Sequence, residues 1–157
     1  MSPFWKNTLW GPGIFSLSFS ATAALAGEDL DQITALLAKY ETALNASDTA
    51  AVMKVYGPDA VFMPQNAMPQ VGTEAIRAAY DGVFAAIDLN IDFIIDEIQF
   101  VSDDWAFART RSEGTTVINA NGAKIEEGNQ ELFLLQRQAD GAWKVARYIF
   151  STTKPMQ

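Results

Sequence analysis

The residue types that carry much of enzyme chemistry at neutral pH are missing from this sequence, which has no histidine and no cysteine. Their absence excludes thiolate nucleophiles, histidine general bases and zinc sites of the usual kind. Chemistry must therefore use aspartate, glutamate, tyrosine, lysine, arginine or an organic cofactor. Among these, Glu131 is the best candidate, because it is the single acid in the middle of the predicted strand at residues 127–138.

Glu131 has two possible roles if it is buried. Burial raises the pKa of a carboxyl group, so a neutral Glu131 could donate a hydrogen bond to a ligand. Pairing with Arg109 or Arg111 would instead keep the group ionised, as a structural salt bridge or a ligand clamp. The sequence leaves both roles open.

The strand that carries Glu131 is predicted to be the first half of a β-hairpin, with an Asp-Gly turn at residues 140–141. Because side chains alternate along a strand, Glu131 shares a face with Phe133, and Tyr148 shares a face with Phe150. The opposite face of the second strand is predicted to hold Trp143, Val145, Arg147 and Ile149. Both faces are largely apolar, so we expect helices to cover one and a second copy of the chain to cover the other.

The remaining pattern predicts the elements that position this hairpin. Apolar residues recur at helical spacing and cap residues are suitably placed for three helices, at residues 28–45, at 49–56 and from 73 onward. Alternation predicts strands at 60–63, 90–101, 105–117, 127–138 and 142–150. This order predicts an α+β domain in which three N-terminal helices cover a curved antiparallel sheet.

Composition limits the partners of the domain. The 157 residues have a formal net charge of −8, which argues against nucleic acid and anionic membrane surfaces. No Gly-x-Gly-x-x-Gly fingerprint occurs, so we expect no dinucleotide, and we expect no other cofactor or metal.

The first 26 residues differ from the rest of the chain. Lys6 is their only charged side chain, and Ala24 and Ala26 match the small-x-small cleavage pattern of a secretory signal peptide. We expect cleavage after Ala26, secretion or export to the periplasm, and no stable membrane insertion of the processed domain at residues 27–157. A retained anchor and a cytoplasmic location are the alternatives.

Four segments resemble the nuclear transport factor 2-like superfamily: residues 40–48 (YETALNASD), 59–62 (DAVF), 72–77 (GTEAIR) and 143–150 (WKVARYIF). Residues 104–114 (DWAFARTRSEG) and the final strand look most like the SgcJ/EcaC and SnoaL-like small proteins. The resemblance covers about residues 29–154 and implies a cone-shaped fold with a pocket between helices and sheet. It implies no single activity, because the superfamily holds isomerases, cyclases, dehydratases and non-catalytic modules.

The ketosteroid isomerase branch implies roles for individual residues. Its oxyanion-hole tyrosine matches Tyr40, its supporting tyrosine matches Tyr80, and its protonated acid matches Glu131, with a one-residue slip to Gln130 as an alternative. Its catalytic base falls on Pro64, so this sequence departs from the pattern and loses that route of proton abstraction.

We expect the cone to bind a small apolar molecule. The catalytic candidates are Glu131, Tyr40 and Tyr80, and the predicted lining is Phe62, Met63, Phe84, Arg109, Phe133, Tyr148 and Phe150. One hypothesis is a domain that binds an apolar or polycyclic molecule and could catalyse isomerisation, hydration or another proton transfer. The alternative is a non-catalytic dimeric module whose cone is filled by its own side chains.

Overall fold

A computed structural model describes residues 19–154 of the chain, with side chains from residue 26 onward. Three helices and six strands follow in this order: α1 Phe19–Asn45, α2 Thr49–Met53, β1 Tyr56–Met63, β2 Gln70–Val71, α3 Thr73–Ala86, β3 Ile87–Phe100, β4 Trp105–Ile118, β5 Lys124–Arg137 and β6 Trp143–Thr152. The predicted α+β class with three N-terminal helices is confirmed. No helix within the described range is long and apolar enough to cross a membrane.

The strands form one sheet in the order β2-β1-β6-β5-β4-β3. Strands β3 to β6 form an antiparallel meander of long strands, as predicted. The sheet as a whole is mixed, however, because β1 pairs with β6 in parallel. The prediction of a wholly antiparallel sheet is wrong at this one pair, where β1 joins the meander beside its last strand.

Helix α1 packs on the sheet through one apolar stripe. Its buried residues Ile33, Leu37, Tyr40 and Leu44 recur at intervals of three and four, which places them on one side of the helix. The helix begins at Phe19, nine residues before the predicted start at residue 28, so its backbone runs through the predicted cleavage position after Ala26. Residues 1–18 of the predicted signal peptide lie outside the described residues, and its removal stays a prediction.

Polar side chains of α1 form hydrogen bonds with β3, an edge strand of the sheet. The Asn45 side chain donates to the carbonyl of Ile91 at 2.7 Å and accepts from its backbone N–H at 2.9 Å. Glu41 accepts from the backbone N–H of Phe93 at 2.6 Å. These bonds satisfy backbone groups of β3, an edge strand whose groups would otherwise lack partners.

The second helix is shorter than predicted. It ends at Met53, and the chain then turns, so that the carbonyl of Val55 accepts from Val145 of β6 and Tyr56 begins β1. Tyr56 was predicted to end the helix, and that placement is wrong. Pairing with β6 prevails over the local helical pattern.

A bulge in β6 corrects a second prediction. In the register with β5, Leu134 pairs with Arg147 and Leu135 with Val145, so Ala146 is the extra residue. Val145 and Trp143 are therefore buried on the same side of the sheet as Tyr148, rather than facing out with Arg147 and Ile149. Alternation alone predicts the wrong face beyond the bulge.

Candidate functional site

Most of the predicted site residues lie together on the helix-covered face of the sheet. The parallel pairing of β1 with β6 sets Phe62 beside Tyr148, and the register of β5 with β6 sets Phe133 beside Tyr148 and Glu131 beside Phe150. Helix α1 adds Tyr40, and α3 adds Tyr80 and Phe84. The ring centroids of Phe133 and Tyr148 are 4.2 Å apart, and those of Phe62 and Tyr80 are 5.1 Å apart.

Two members of the predicted lining lie elsewhere. Arg109 and Met63 were expected to line the cone, but Met63 pairs with Ile149, whose side chain is 45% exposed on the outer face. Arg109 precedes Thr110, which is the residue directly opposite Glu131, and alternation therefore turns Arg109 to the outer face. The prediction that Met63 and Arg109 line the cone is therefore wrong, because both lie on the outer face of the sheet.

The outer position of Arg109 also decides the partner of Glu131. A bulge in β3 after Ile95 brings two acids opposite Arg109, whose guanidinium contacts Asp96 at 2.6 Å and Glu97 at 2.8 Å. Arg111 contacts the same Asp96 at 3.2 Å. Neither of the two predicted arginine partners reaches Glu131, and within the described residues no basic side chain forms a salt bridge with it.

Glu131 is instead a buried acid among neutral donors. Its side chain is 5% exposed, and one of its oxygens accepts a hydrogen bond from the hydroxyl of Thr110. Burial raises the pKa of Glu131 from 4.5 to about 7, against the opposing effect of hydrogen bonds from Ser112 and Thr110, and the charge of Glu127 raises it further. Near neutral pH, a large fraction of Glu131 is therefore protonated and able to donate a hydrogen bond.

Three buried tyrosines form a hydrogen-bonded chain deeper in the cone. The Tyr80 hydroxyl bonds that of Tyr40 and, at 2.8 Å, that of Tyr56. Burial, and then the neighbouring tyrosines, raise the pKa of each hydroxyl well above its ordinary value. All three therefore stay protonated near neutral pH and can act only as neutral hydrogen-bonding groups.

Tyr56 is the member of this chain that sequence reasoning missed. The signal was present in the next three residues, Gly57, Pro58 and Asp59, which disfavour a helix. These three residues lie in β1, because the helix has already ended at Met53.

The inner part of the cone is filled by aromatic rings. Tyr40 is 2% exposed and stacks on Phe93 at 5.8 Å, while Phe133 is fully buried. The rings nearer to the opening, Phe84, Phe93 and Phe150, are only half-buried. Elsewhere on the molecule, a groove of about 640 Å³ is lined mainly by residues of α1 and α2 and includes none of the predicted site residues. The half-buried rings of Phe84, Phe93 and Phe150 mark the less enclosed end of the cone, which we call its mouth.

A run of polar side chains continues from Glu131 towards the mouth. We call it the polar tract and define it as Ser112 and Thr116 of β4 with Glu127 and Asn129 of β5. Glu127 accepts from the Thr116 hydroxyl and from the Asn129 amide, each at 2.9 Å, and the same amide donates to Ser112 at 3.2 Å. The amide oxygen of Asn129 is buried and has no hydrogen-bond partner among the described residues.

The base position implied by the resemblance is not filled by an acid. Pro64 follows Met63 at the end of β1, and its side chain can neither accept nor donate a proton. The site thus combines a protonatable acid, a neutral tyrosine chain and half-buried rings, with acceptors towards the mouth.

This arrangement of helices, mixed sheet and cone is that of the nuclear transport factor 2-like class, in which solved structures share the same fold. A ketosteroid isomerase-like protein from Erwinia carotovora atroseptica is 37% identical and superimposes with a TM-score of 0.79, covering 82% of this chain and 98% of that one. An NTF2-like protein with a cystatin-like fold from Novosphingobium aromaticivorans is 19% identical, with a TM-score of 0.69 over 92% of this chain and 94% of that one.

Within that class, the model of the SnoaL-like domain matches residues 36–147, and the chain belongs to this family. Among curated proteins, none matches the sequence. The closer resemblance to SgcJ/EcaC proteins stays a prediction.

Proposed function

We propose that this SnoaL-like domain binds a small apolar molecule with at least one ring at the mouth of the cone, where Glu131 donates a hydrogen bond to an oxygen of that molecule. The supporting observation is the acid itself: Glu131 is 5% exposed, has a pKa of about 7, and has no cationic partner among the described residues. An uncompensated buried carboxyl group costs stability, and such groups are concentrated at functional sites.

The surroundings of Glu131 support a ring-bearing ligand. Phe150 is its direct neighbour on β6, Phe93 lies beside Ser112, and the Phe84 ring is 5.8 Å from that of Tyr80. We call these three half-buried rings the aromatic rim. Rings of this kind provide flat apolar surface, while a few polar groups orient the ligand. The likeness to a ketosteroid isomerase-like protein supports a carbonyl-bearing ligand, since a neutral acid stabilises negative charge on such an oxygen.

Catalysis of proton transfer at this site would need a base, and this chain has none at the position where the ketosteroid isomerase branch has its catalytic base. Because Pro64 stands there, isomerisation or hydration would use a base on the substrate or a water molecule. Binding is therefore the primary activity that we propose, and proton transfer follows only for a substrate that meets this condition.

Titration of 2-naphthol, followed by its fluorescence at pH 6, tests the proposal. Glu131→Leu, whose side chain has no donor, should weaken binding by about two- to tenfold, since a hydrogen bond to a ligand contributes about 0.5–1.5 kcal/mol. Glu126→Leu, at an exposed position of the same strand, is the matched control and should bind as the wild type does. Equal affinity of all three proteins, or no binding to any of them, would refute the proposal.

We also propose that the outer face of the sheet forms a homodimer. Leu132 and Ile149 are direct cross-strand neighbours there, and each is 45% exposed. Ile94 adds a third apolar side chain to the same face, at 38% exposure. Adjacent exposed apolar side chains on a sheet face are typical of a protein interface.

Analytical ultracentrifugation of wild type and Leu132→Lys tests this second proposal. The wild type should sediment as a dimer and the variant as a monomer, because a lysine in the centre of an apolar interface must lose its hydration. Lys124→Glu at an exposed end of β5 is the control. A wild-type monomer at high micromolar concentration would contradict the proposed dimer.

A further inference from the structure

The polar tract at the mouth of the cone contains an acceptor that has no donor. Asn129 is only 8% exposed, and its amide oxygen has no hydrogen-bond partner within residues 26–154. A buried polar atom without a partner costs about 1–3 kcal/mol, so it is rarely kept without a reason. Its two amide hydrogens are already used, one towards Glu127 and one towards Ser112.

The groups around this oxygen are also rich in acceptors. Both oxygens of Glu127 accept hydrogen bonds, from Thr116 and from Asn129, as those of a carboxylate do. Glu131 lies on the same face of β5, two residues beyond Asn129 and four beyond Glu127. Within the described residues, no lysine or arginine forms a salt bridge with Glu127 or Glu131. In the part of the chain that the structure describes, the tract therefore has no donor for the amide oxygen of Asn129 and no salt bridge to Glu127.

The tract is bordered by apolar side chains on both sides. In the sheet register, Leu89 lies beside Thr116 and Phe93 beside Ser112, while Phe150 lies beside Glu131. Glu127 is half-buried, so the tract reaches solvent at this end. A ring that contacts Phe93 and Phe150 would lie beside Ser112 and Glu131, next to the tract residue Asn129.

We infer that the molecule bound at the mouth is a ring compound carrying a primary ammonium group, which binds between Glu127 and the free amide oxygen of Asn129. An ammonium group has three N–H donors and no acceptor, and it would bring a positive charge to the Glu127 carboxylate. A neutral hydroxyl has only one donor, and a carboxylate would face Glu127 with a like charge. The inference rests on the proposed function, because the rim must first bind the ring.

Three probes with one ring system test this inference: 2-naphthylmethylamine, 2-naphthylmethanol and 2-naphthoic acid, each titrated calorimetrically into the full chain at pH 7.5. The amine should bind about tenfold more tightly than the alcohol, and the acid more weakly than both, because a charge-assisted hydrogen bond is about twice as strong as a neutral one.

Two variants locate the effect. Glu127→Gln should reduce the advantage of the amine over the alcohol to about threefold or less, because the ammonium group loses its negatively charged acceptor. Glu126→Gln removes an equal charge one residue away on an exposed position, and it should keep the full advantage. Loss of the advantage in both variants would indicate a general charge effect, and that outcome overturns the inference.

The failures of the two proposals can be distinguished. If the alcohol and the amine bind equally well to the wild type, the aromatic rim binds rings and only the ammonium inference is wrong. If the advantage of the amine survives in Glu127→Gln, the site of the ammonium group is wrong. If no naphthyl probe binds, the proposed function fails together with the inference.

Discussion

The raised pKa of Glu131 predicts that the folded protein loses stability as the pH rises. In the unfolded chain this carboxyl group titrates near 4.5, and in the folded chain it titrates at about 7. Between these values the folded state binds more protons than the unfolded state, so the free energy of unfolding falls with increasing pH. The loss begins near pH 4.5 and is complete above pH 7.

Glu131→Gln removes this penalty, because glutamine stays neutral at every pH. One pKa unit corresponds to about 1.4 kcal/mol, so a rise from 4.5 to about 7 costs the wild type about 3 kcal/mol above pH 7. We expect the variant to gain about 2–3 kcal/mol on the wild type between pH 5 and pH 9. This gain is a difference between two proteins, so titrations that are common to both cancel.

Urea unfolding at pH 5, 6, 7, 8 and 9, followed by tryptophan fluorescence and circular dichroism, measures the gain. Glu126→Gln, which changes an exposed acid on the same strand, should follow the wild type at every pH. A difference that is independent of pH would show that Glu131 titrates normally in the folded protein. A difference that falls with pH would mean that a cation stabilises the ionised acid, and either result refutes the raised pKa of Glu131.

Three further changes test the packing around the site by urea unfolding at pH 6. Tyr80→Phe should cost about 1–3 kcal/mol, because it leaves two buried tyrosine hydroxyls without their common partner, and an unchanged midpoint would contradict that hydrogen-bonded chain. Phe133→Ala should cost about 3–5 kcal/mol, since the ring is fully buried against Tyr148; a cost below about 1 kcal/mol would indicate a loosely packed cone. Asp29→Asn should cost about 1–3 kcal/mol by weakening its bond with Arg137, and it should have no effect in an Arg137→Met background if this pair is the cause.

The sequence predicts the inward-facing residues where regular periodicity continues without interruption. Helical spacing places Tyr40 and Tyr80 on the sheet-facing sides of α1 and α3, and alternation in β5 places Glu131 beside Phe133. The structure confirms these positions, because a one-residue slip would have exposed a whole row of apolar side chains. Their roles with a ligand stay predictions.

Two errors came from features that alternation cannot show. The partner of Glu131 depends on the register between β4 and β5, which sets Thr110, rather than Arg109 or Arg111, opposite the acid. The bulge at Ala146 turns Trp143 inward, and a bulge has no reliable mark in a single sequence. Both are long-range properties of the sheet, whereas the sequence patterns used here are local.

The sequence patterns do not predict the polar tract, and the reason is a different one. Thr116, Glu127 and Asn129 look like ordinary polar residues near a turn, and only the folded sheet shows that they share one face, on which Thr116 and Asn129 are buried and Glu127 is half-buried. Serine, threonine and asparagine are usually exposed, so their burial cannot be expected from composition.

The contacts of Asn45 and Glu41 with β3 have a consequence for behaviour at high concentration. Unpaired strand edges attract other chains and start the stacking of strands that leads to fibrils. Here helix α1 occupies backbone groups of one margin of the sheet, and β2, at the other margin, has only two residues, Gln70–Val71. We therefore expect copies of this protein to associate in closed pairs through the flat side of the sheet, and we do not expect them to join edge to edge.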